Sequence, residues 1–270
     1  MSEQTQRRED GVLHENGPTE RRLERLTWPE LERLLARGVR TAVLPLGAME
    51  QHGCHLPFAT DTWIADALAE RFCARVEEAI ACPALPFGCS TEHMAFPGTL
   101  SLSTATLSAV LTDLLVSCRR HGFERVFLFS GHGGNYGPLA ECIDALRAAS
   151  APMELIVFME GKRLTRVLQG VSKAHGISPE CSGHHAGEFE TSIVRGLRPD
   201  AVRLDRLEPG YMEPTRPPGG LFYPSLRDNS ANGTVGDPRP SDPARAAHYL
   251  DAWVDVLIEA YRAATRRQSP

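Results

Sequence analysis

The strongest constraint on the fold is an apolar run, Val-Phe-Leu-Phe at residues 126–129, which has no polar side chain on either face. Because side chains in a strand alternate between the two faces of a sheet, this run indicates a strand buried on both sides. Residues 43–46 and 155–159 are similar, and amphipathic helical patterns separate the three runs. Such alternation is typical of parallel βαβ units. We predict an α/β class: one layered domain with a mainly parallel central sheet flanked by helices.

Two helical patterns are the clearest. One spans residues 107–118, where apolar residues recur at intervals of three and four. The other is the last helix, for which Asp242 and Pro243 supply an N-cap and a first-turn proline. We predict a disordered N-terminal tail at 1–25 and a single domain at 26–265. Within it, residues 208–240 are rich in Pro and Gly and form either a long loop or an assembly arm.

Composition excludes some classes of partner. The formal net charge of −5 disfavours nucleic acid and anionic membranes, and neither a long apolar run nor a secretory signal is present. Seven cysteines without a C-x-x-C pair are typical of reduced, mostly buried thiols. These features favour a soluble, cytoplasmic protein with a small-molecule substrate, without nucleic-acid or membrane partners.

A first polar cluster directly follows the strand at 43–46. Glu50 and His52 leave an extended chain on the same face, and Asp61 can return to that face after a Pro-containing turn. Carboxylate and imidazole ligands suit Zn²⁺, Mn²⁺ or Fe²⁺. The alternative is that Glu50 and His52 are ordinary loop residues and that Asp61 caps the helix beginning near Thr62.

Two further clusters follow along the chain. The strand at 126–129 runs into Ser-Gly-His-Gly-Gly-Asn, which places His132 at the carboxyl edge of the sheet, where open α/β folds bind ligands. The lysine of a phosphate-binding loop is absent. The third cluster contains His184, His185, Glu188 and Glu190, and its alternative interpretation is a helix start that favours acidic residues.

Together, the segments Glu-Gln-His-Gly (50–53), Thr-Asp-Thr (60–62), Gly-His-Gly-Gly-Asn (131–135) and His-Ala-Gly-Glu-Phe-Glu-Thr-Ser (185–192) resemble the successive motifs of the creatininase family. Their order matches as well, and Gly-Asp-Pro at 236–238 resembles that family's C-terminal segment. The resemblance spans roughly residues 40–260. It implies a creatininase-like α/β fold, two divalent metal ions per chain (Zn, Mn or Fe), and a homo-oligomer, in that family often a hexamer.

By resemblance, the ligands can be assigned position by position. Glu50 and His132 are expected to bind one ion, His52 and Glu188 the other, and Asp61 both. The implied activity is hydrolysis of a non-peptide C–N bond, in a cyclic amide, lactam or formamide, by a metal-activated hydroxide.

His185 and Glu188 are the predicted catalytic residues, and His185 is expected to carry a proton to the departing nitrogen, because an imidazole titrates near neutral pH. His184 competes for that role. Glu190 is expected to orient a ligand. Predicted substrate contacts are Ser90, Glu92, His93, Asn135 and His184.

The chain departs from creatininase itself at two points. That enzyme's histidine loop supplies a metal-binding Glu where this chain has Gly134, so the resemblance requires Glu188 to replace it. The chain also has no Trp between Trp63 and Trp253, whereas creatininase closes tryptophans over its small ring. Creatinine is therefore disfavoured as substrate. The alternatives are a peptidase that trims a modified precursor peptide of the mycofactocin type, and a non-catalytic family member.

Overall fold

The computed structural model describes residues 20–213, 217 and 220–266. In this part of the chain the strands are β1 (Thr41–Leu46), β2 (Ala79–Ala81), β3 (Arg125–Ser130) and β4 (Glu154–Val157). The helices are α1 (Trp28–Ala36), α2 (Thr60–Cys73), α3 (Thr104–Arg120), α4 (Tyr136–Ser150), α5 (Gly161–Ala174), α6 (Pro179–Ser182), α7 (Glu188–Leu197) and α8 (Ala246–Arg266). None of them is long and apolar enough to cross a membrane.

The described strands form one parallel sheet in the order β2-β1-β3-β4. β1 and β3 pair along their whole length, from Thr41 with Arg125 to Leu46 with Ser130. Because these central strands end together, the loops that follow them leave the sheet at the same edge. The predicted α/β class with a parallel sheet is confirmed, and its topology places the first two polar clusters side by side.

Helices cover both faces of the sheet, which makes a three-layer structure. On one face, α3 buries Leu107, Leu111 and Leu115, as its periodicity predicts. On the other face, α2, α5, α7 and α8 pack over Phe127 and Phe129. Each strand of the central pair is thus apolar on both sides because both sides face a helix layer.

Residues 20–25 of the predicted tail lie against the sheet and carry local structure. Arg22 pairs with Ala81 as an isolated parallel bridge, and the carbonyl oxygen of Arg21 accepts a hydrogen bond of 2.8 Å from the amide of Ala81. Arg21 and Arg22 therefore pair with the edge of the sheet, a 3-10 turn at Leu23–Arg25 follows, and this backbone pairing leaves no apolar pattern in the sequence. The rest of the predicted tail, residues 1–19, lies outside the described residues.

The described parts of the long segment at 208–240 fold back over the carboxyl edge of the sheet. Val235 pairs with both His185 and Tyr211, and Leu221 and Leu226 pack with it in a small apolar cluster. Next, the Asp242 side chain accepts the Ala244 amide, as predicted for an N-cap, before a short 3-10 turn leads into α8.

Candidate metal centre and cavity

Seven buried acidic and imidazole side chains meet at the carboxyl edge of the sheet. They come from the loops after β1 and β3, from the start of α2, from a short turn at 91–93 and from the start of α7. The seven are Glu50, His52, Asp61, His93, His132, His185 and Glu190. In three overlapping groups, each of three residues, the possible ligand atoms lie within 4.8 Å of one another.

Asp61 lies between two histidines, with one oxygen toward each. Its Oδ1 is 3.2 Å from Nε2 of His52, and its Oδ2 is 3.4 Å from Nδ1 of His132. Oε2 of Glu50 is 3.3 Å from Nε2 of His132. Glu50, His52, Asp61 and His132 are therefore brought together, and the position of Asp61 suits a carboxylate that shares its oxygens between two sites.

Several acceptor atoms in this cluster lack a hydrogen-bond partner among the described residues. They are both carboxylate oxygens of Glu50, Oδ2 of Asp61 and Nε2 of His52. Buried acceptors are normally paired, because leaving them unpaired costs free energy. Convergent oxygen and imidazole nitrogen atoms without donors fit divalent cations such as Zn²⁺ or Mn²⁺.

Backbone carbonyls orient the two histidines. Nδ1 of His52 lies 3.2 Å from the carbonyl oxygen of Glu50, and Nε2 of His132 lies 2.9 Å from that of Cys89. When these nitrogens donate to the carbonyls, Nε2 of His52 and Nδ1 of His132 keep their lone pairs toward Asp61. Such outer hydrogen bonds fix the ring that presents a lone pair to a metal.

The charges of the protein groups alone also show how strongly this cluster attracts cations. Burial raises the pKa of Glu50, but His132 and the neighbouring imidazoles outweigh it and hold that pKa well below its usual range. Burial lowers the pKa values of His52 and His132, yet the carboxylates Asp61 and Glu50 reverse this and raise both to about 10. The site favours positive charge beside its carboxylates.

The side chain of Gln51 holds two further imidazoles. Its amide Nε2 is 2.8 Å from Nδ1 of His93 and 3.1 Å from Nε2 of His185, and that nitrogen of His185 is also 2.7 Å from the carbonyl oxygen of Gln51. Burial lowers the pKa of His93 to about 4 and that of His185 well below its usual value. Gln51 was not among the predicted site residues, because an amide side chain carries no ligand signature even between Glu50 and His52.

Glu188 does not lie in the cluster, and the prediction that it is a ligand and a catalytic group is corrected. Its carboxylate accepts hydrogen bonds from Arg245 Nε at 2.8 Å, Ser192 Oγ at 2.7 Å and Tyr249 OH at 2.6 Å. Glu190, two residues along α7, instead faces His52, with 4.0 Å between Oε2 and Nε2. Burial raises the pKa of Glu190 to about 7.

The predicted substrate contacts divide into two sets. Glu92, His93 and His184 line the large cavity beside the cluster. Ser90 and Asn135 do not. Ser90 Oγ lies 3.3 Å from Nε2 of His132, and the Asn135 side chain joins the loops by accepting from the Cys89 amide and donating to Gly47 and Ser130. Ser90 and Asn135 thus make contacts that hold the loops around His132.

Gly134 has no room for a side chain. A Cβ atom there would lie 2.3 Å from Nε2 of His132 and 2.7 Å from both the Cys89 carbonyl oxygen and Oε1 of Glu92. The buried Glu92 carboxylate therefore occupies space next to the histidine loop. Gly134, the third glycine of this loop, is required by close packing around His132.

The cavity next to the cluster has a volume of about 560 Å³. Its lining includes the acidic residues Glu50, Asp61 and Glu190 together with apolar residues of four helices. A second cavity of about 220 Å³ shares Gln169, Gly183 and His184 with the first. The acidic and imidazole cluster thus lines a cavity of the size that binds drug-sized ligands.

Comparison with known proteins identifies this arrangement. The family model Creatininase, described as creatinine amidohydrolase, matches residues 24–261. The chain belongs to the creatininase family. The mycofactocin precursor peptide peptidase of Mycobacterium tuberculosis is 34% identical over 232 residues, covering 80% of this chain and 82% of the relative. The creatinine amidohydrolase of Pseudomonas putida is 30% identical over 249 residues, covering 88% and 94% respectively.

Solved creatininase structures have the same fold. A crystal structure of creatinine amidohydrolase superposes with a TM-score of 0.77 at 27% identity and covers 94% of this chain and 100% of that chain. Another, described as creatininase with Mn, gives a TM-score of 0.73 at 29% identity, covering 90% and 98%. The predicted family and fold are confirmed. Because these relatives are amidohydrolases or peptidases, the prediction of an enzyme acting on C–N bonds is confirmed as well.

Proposed function

We propose that this creatininase-family member is a binuclear metal-dependent amidohydrolase. The observation that carries the proposal is the set of buried acceptors without donors on Glu50, His52 and Asp61. Solved creatininase structures described as Mn and Zn-Zn types support the choice of divalent cation. The same atoms would be costly to bury in a protein that bound no cation, because no hydrogen bond from the described residues reaches them.

The donor set divides between two ions. Glu50 and His132 would hold one, His52 and Glu190 the other, and Asp61 would contribute an oxygen to each. The assignment replaces Glu188 by Glu190, because the carboxylate of Glu188 is already satisfied by three donors. The assignment keeps three negative carboxylates beside two divalent cations. One further negative charge would therefore neutralise the site.

Bound divalent cations would lower the pKa of a water molecule and polarise the carbonyl of the scissile bond. His185 would carry the proton. Its Nε2 donates to the Gln51 carbonyl oxygen, while its Nδ1 lies 3.6 Å from Oε1 of Glu50 at the cavity wall. As a neutral imidazole it can accept a proton at Nδ1 and return it to the departing nitrogen.

The first test is the metal content of the protein purified without chelator, compared with that of Asp61→Ala. We expect about two divalent ions per parent chain, one for each side of the bridging carboxylate, and a large loss in the variant. Elemental analysis measures both. A parent that takes up no stoichiometric metal after supplementation with Zn²⁺ or Mn²⁺ would overturn the proposal and return the non-catalytic alternative.

A second candidate function is cleavage of a C–N bond in a modified peptide. It is favoured by the size of the main cavity and by the second cavity that adjoins it at Gly183 and His184. The peptidase relative from M. tuberculosis supports the same candidate. A panel of lactams, formamides and short peptides, assayed on metal-loaded protein, separates the two: turnover confined to peptides would select the second candidate.

The oligomeric state and the cytoplasmic location stay predictions. Sedimentation velocity tests the first directly, since a hexamer and a monomer differ sixfold in mass. A monomer at working concentrations would refute the expectation that came from the family resemblance.

A further inference from the structure

Part of the lining of the large cavity is apolar, in contrast to the acidic and imidazole cluster. We call this part the apolar wing and define it by Tyr136, Leu164, Leu168, Phe189 and Trp253. These residues come from α4, α5, α7 and α8. Leu164 and Leu168 are four residues apart, so they lie on the same face of α5. Four helices therefore build an apolar space that opens onto the acidic cluster.

Two polar atoms in the walls of the apolar wing have no hydrogen-bond partner among the described residues. They are the hydroxyl of Tyr136 and the indole Nε1 of Trp253. Other buried tyrosines of the chain are paired: Tyr249 donates to Glu188, and the Tyr261 hydroxyl contacts that of Thr41. Tyr and Trp side chains usually find a partner when they are buried, so these two atoms indicate a missing acceptor.

The apolar wing contains no charged side chain. The acidic residues that line the cavity are Glu50, Asp61, Glu92 and Glu190, and its one lysine, Lys162, is exposed. A charged group placed against Leu164, Leu168 and Phe189 would lose its hydration without a partner. The group that fits is uncharged and mainly apolar, and it carries an acceptor, since an indole N–H can only donate.

We propose that the apolar wing binds a ring-sized, uncharged apolar group of the substrate, whose hydrogen-bond acceptor is held by the O–H of Tyr136 and the N–H of Trp253. The proposal rests on the proposed function, because the same cavity must hold the scissile bond at the metal cluster. It makes the substrate larger than a lone small ring and assigns Tyr136 and Trp253 to specificity.

The experiment uses hydroxamates, which anchor to metals, as probes of metal-loaded protein, with dissociation constants from calorimetry. Acetohydroxamate reports the metals alone. Phenyl and 4-pyridyl alkanohydroxamates, with linkers of one to three methylene groups, reach into the cavity, and the two rings are nearly isosteric. The measurement is made at a pH at which the pyridine is neutral. Pyridyl differs from phenyl in presenting a nitrogen acceptor.

We expect the best phenyl probe to bind at least about tenfold more tightly than acetohydroxamate, from buried apolar area. The matching pyridyl probe should gain a further factor of roughly 2–10. Tyr136→Phe, which removes an unpaired hydroxyl and should fold normally, should lose much of the pyridyl gain and keep the phenyl affinity. Trp253→Phe should lose the part of the pyridyl gain in affinity that Tyr136→Phe retains. Tyr261→Phe, a matched change distant from the cavity, should leave all probe affinities unchanged.

The outcomes are distinguishable. Absence of acetohydroxamate binding would overturn the metal-dependent function and, with it, this inference. Acetohydroxamate binding without any gain from a ring, at every linker length, would overturn the apolar wing alone. Equal affinities of phenyl and pyridyl probes, or a pyridyl gain that survives in both Tyr136→Phe and Trp253→Phe, would overturn the assignment of the two donors.

Discussion

Glu188 and Glu50 are both completely buried, yet their surroundings are opposite. The carboxylate of Glu188 accepts from Arg245, Ser192 and Tyr249 at 2.6–2.8 Å. Neither oxygen of Glu50 has a hydrogen-bond partner among the described residues. Burial and residue type therefore do not identify a ligand. The difference lies in whether protein donors already satisfy the carboxylate, since an unsatisfied one needs a cation.

Glu188 anchors the start of α7 to neighbouring helices through hydrogen bonds. Tyr249 OH, which donates to Glu188, lies 3.0 Å from Ser172 Oγ, and Ser172 lies 2.7 Å from Ser182 Oγ. This chain of hydrogen bonds ties α7 to α8, α5 and α6. It holds the helix start from which Glu190 reaches His52, so one carboxylate positions the other.

The largest effect is expected from Glu50→Gln. The variant should lose metal and about a thousandfold or more of activity, because several kcal/mol of transition-state stabilisation by metal depend on this site. Its metal-free stability should also fall, because the buried His132, whose pKa the Glu50 carboxylate helps to raise, loses that counter-charge. Elemental analysis and urea denaturation with chelator check both. Full metal occupancy in the variant would contradict the assignment.

Glu188→Gln is the matched change at the other site. It should cost roughly 3–5 kcal/mol of stability, because it leaves the largely buried Arg245 guanidinium without its counter-charge. Metal stoichiometry should persist while the protein is folded. Urea denaturation gives the first quantity and elemental analysis the second. A variant as stable as the parent but without metal would reverse the comparison and restore Glu188 as a ligand.

Metal removal should change the stability of Glu188→Gln but have little effect on that of Glu50→Gln. In the parent, a hundredfold excess of free metal over its dissociation constant adds about 2.7 kcal/mol to the stability. Glu188→Gln should show the same difference between loaded and chelated protein. Glu50→Gln should show little. Thermal denaturation with and without chelator tests this, and equal metal-dependent stabilisation in both variants would argue against the proposed division of roles.

The smallest effect concerns the amide that orients the imidazoles. Gln51→Met keeps the length of the side chain but removes the amide nitrogen that lies 2.8 Å from Nδ1 of His93 and 3.1 Å from Nε2 of His185. We expect a loss of roughly 10–100-fold in activity or metal affinity, as is usual for outer partners of metal sites. Steady-state kinetics and metal titration measure it. Unchanged values in both would show that His93 and His185 need no orientation by Gln51.

Much of the site was predictable because parallel strands end at one edge. The double-sided apolar strand predicted β3, and the residues after it and after β1 had to meet there. That reasoning brought together Glu50, His52 and His132, while Asp61 followed from the turn that leads back to α2. Gln51 was not predictable in this way, because an amide carries no ligand signature, and neither was the edge pairing at Arg21 and Arg22.

The sequence by itself determined the parallel sheet, the edge that carries chemistry, and the family. Only the tertiary structure decided between Glu188 and Glu190, and brought Tyr136 and Trp253 to one cavity. Residues two apart on a helix point about 200° from each other, so one of the two glutamates must face away from the site. Which one depends on how α7 packs against α8, where Arg245 and Tyr249 meet Glu188. That contact joins residues nearly sixty positions apart, so no local pattern encodes it.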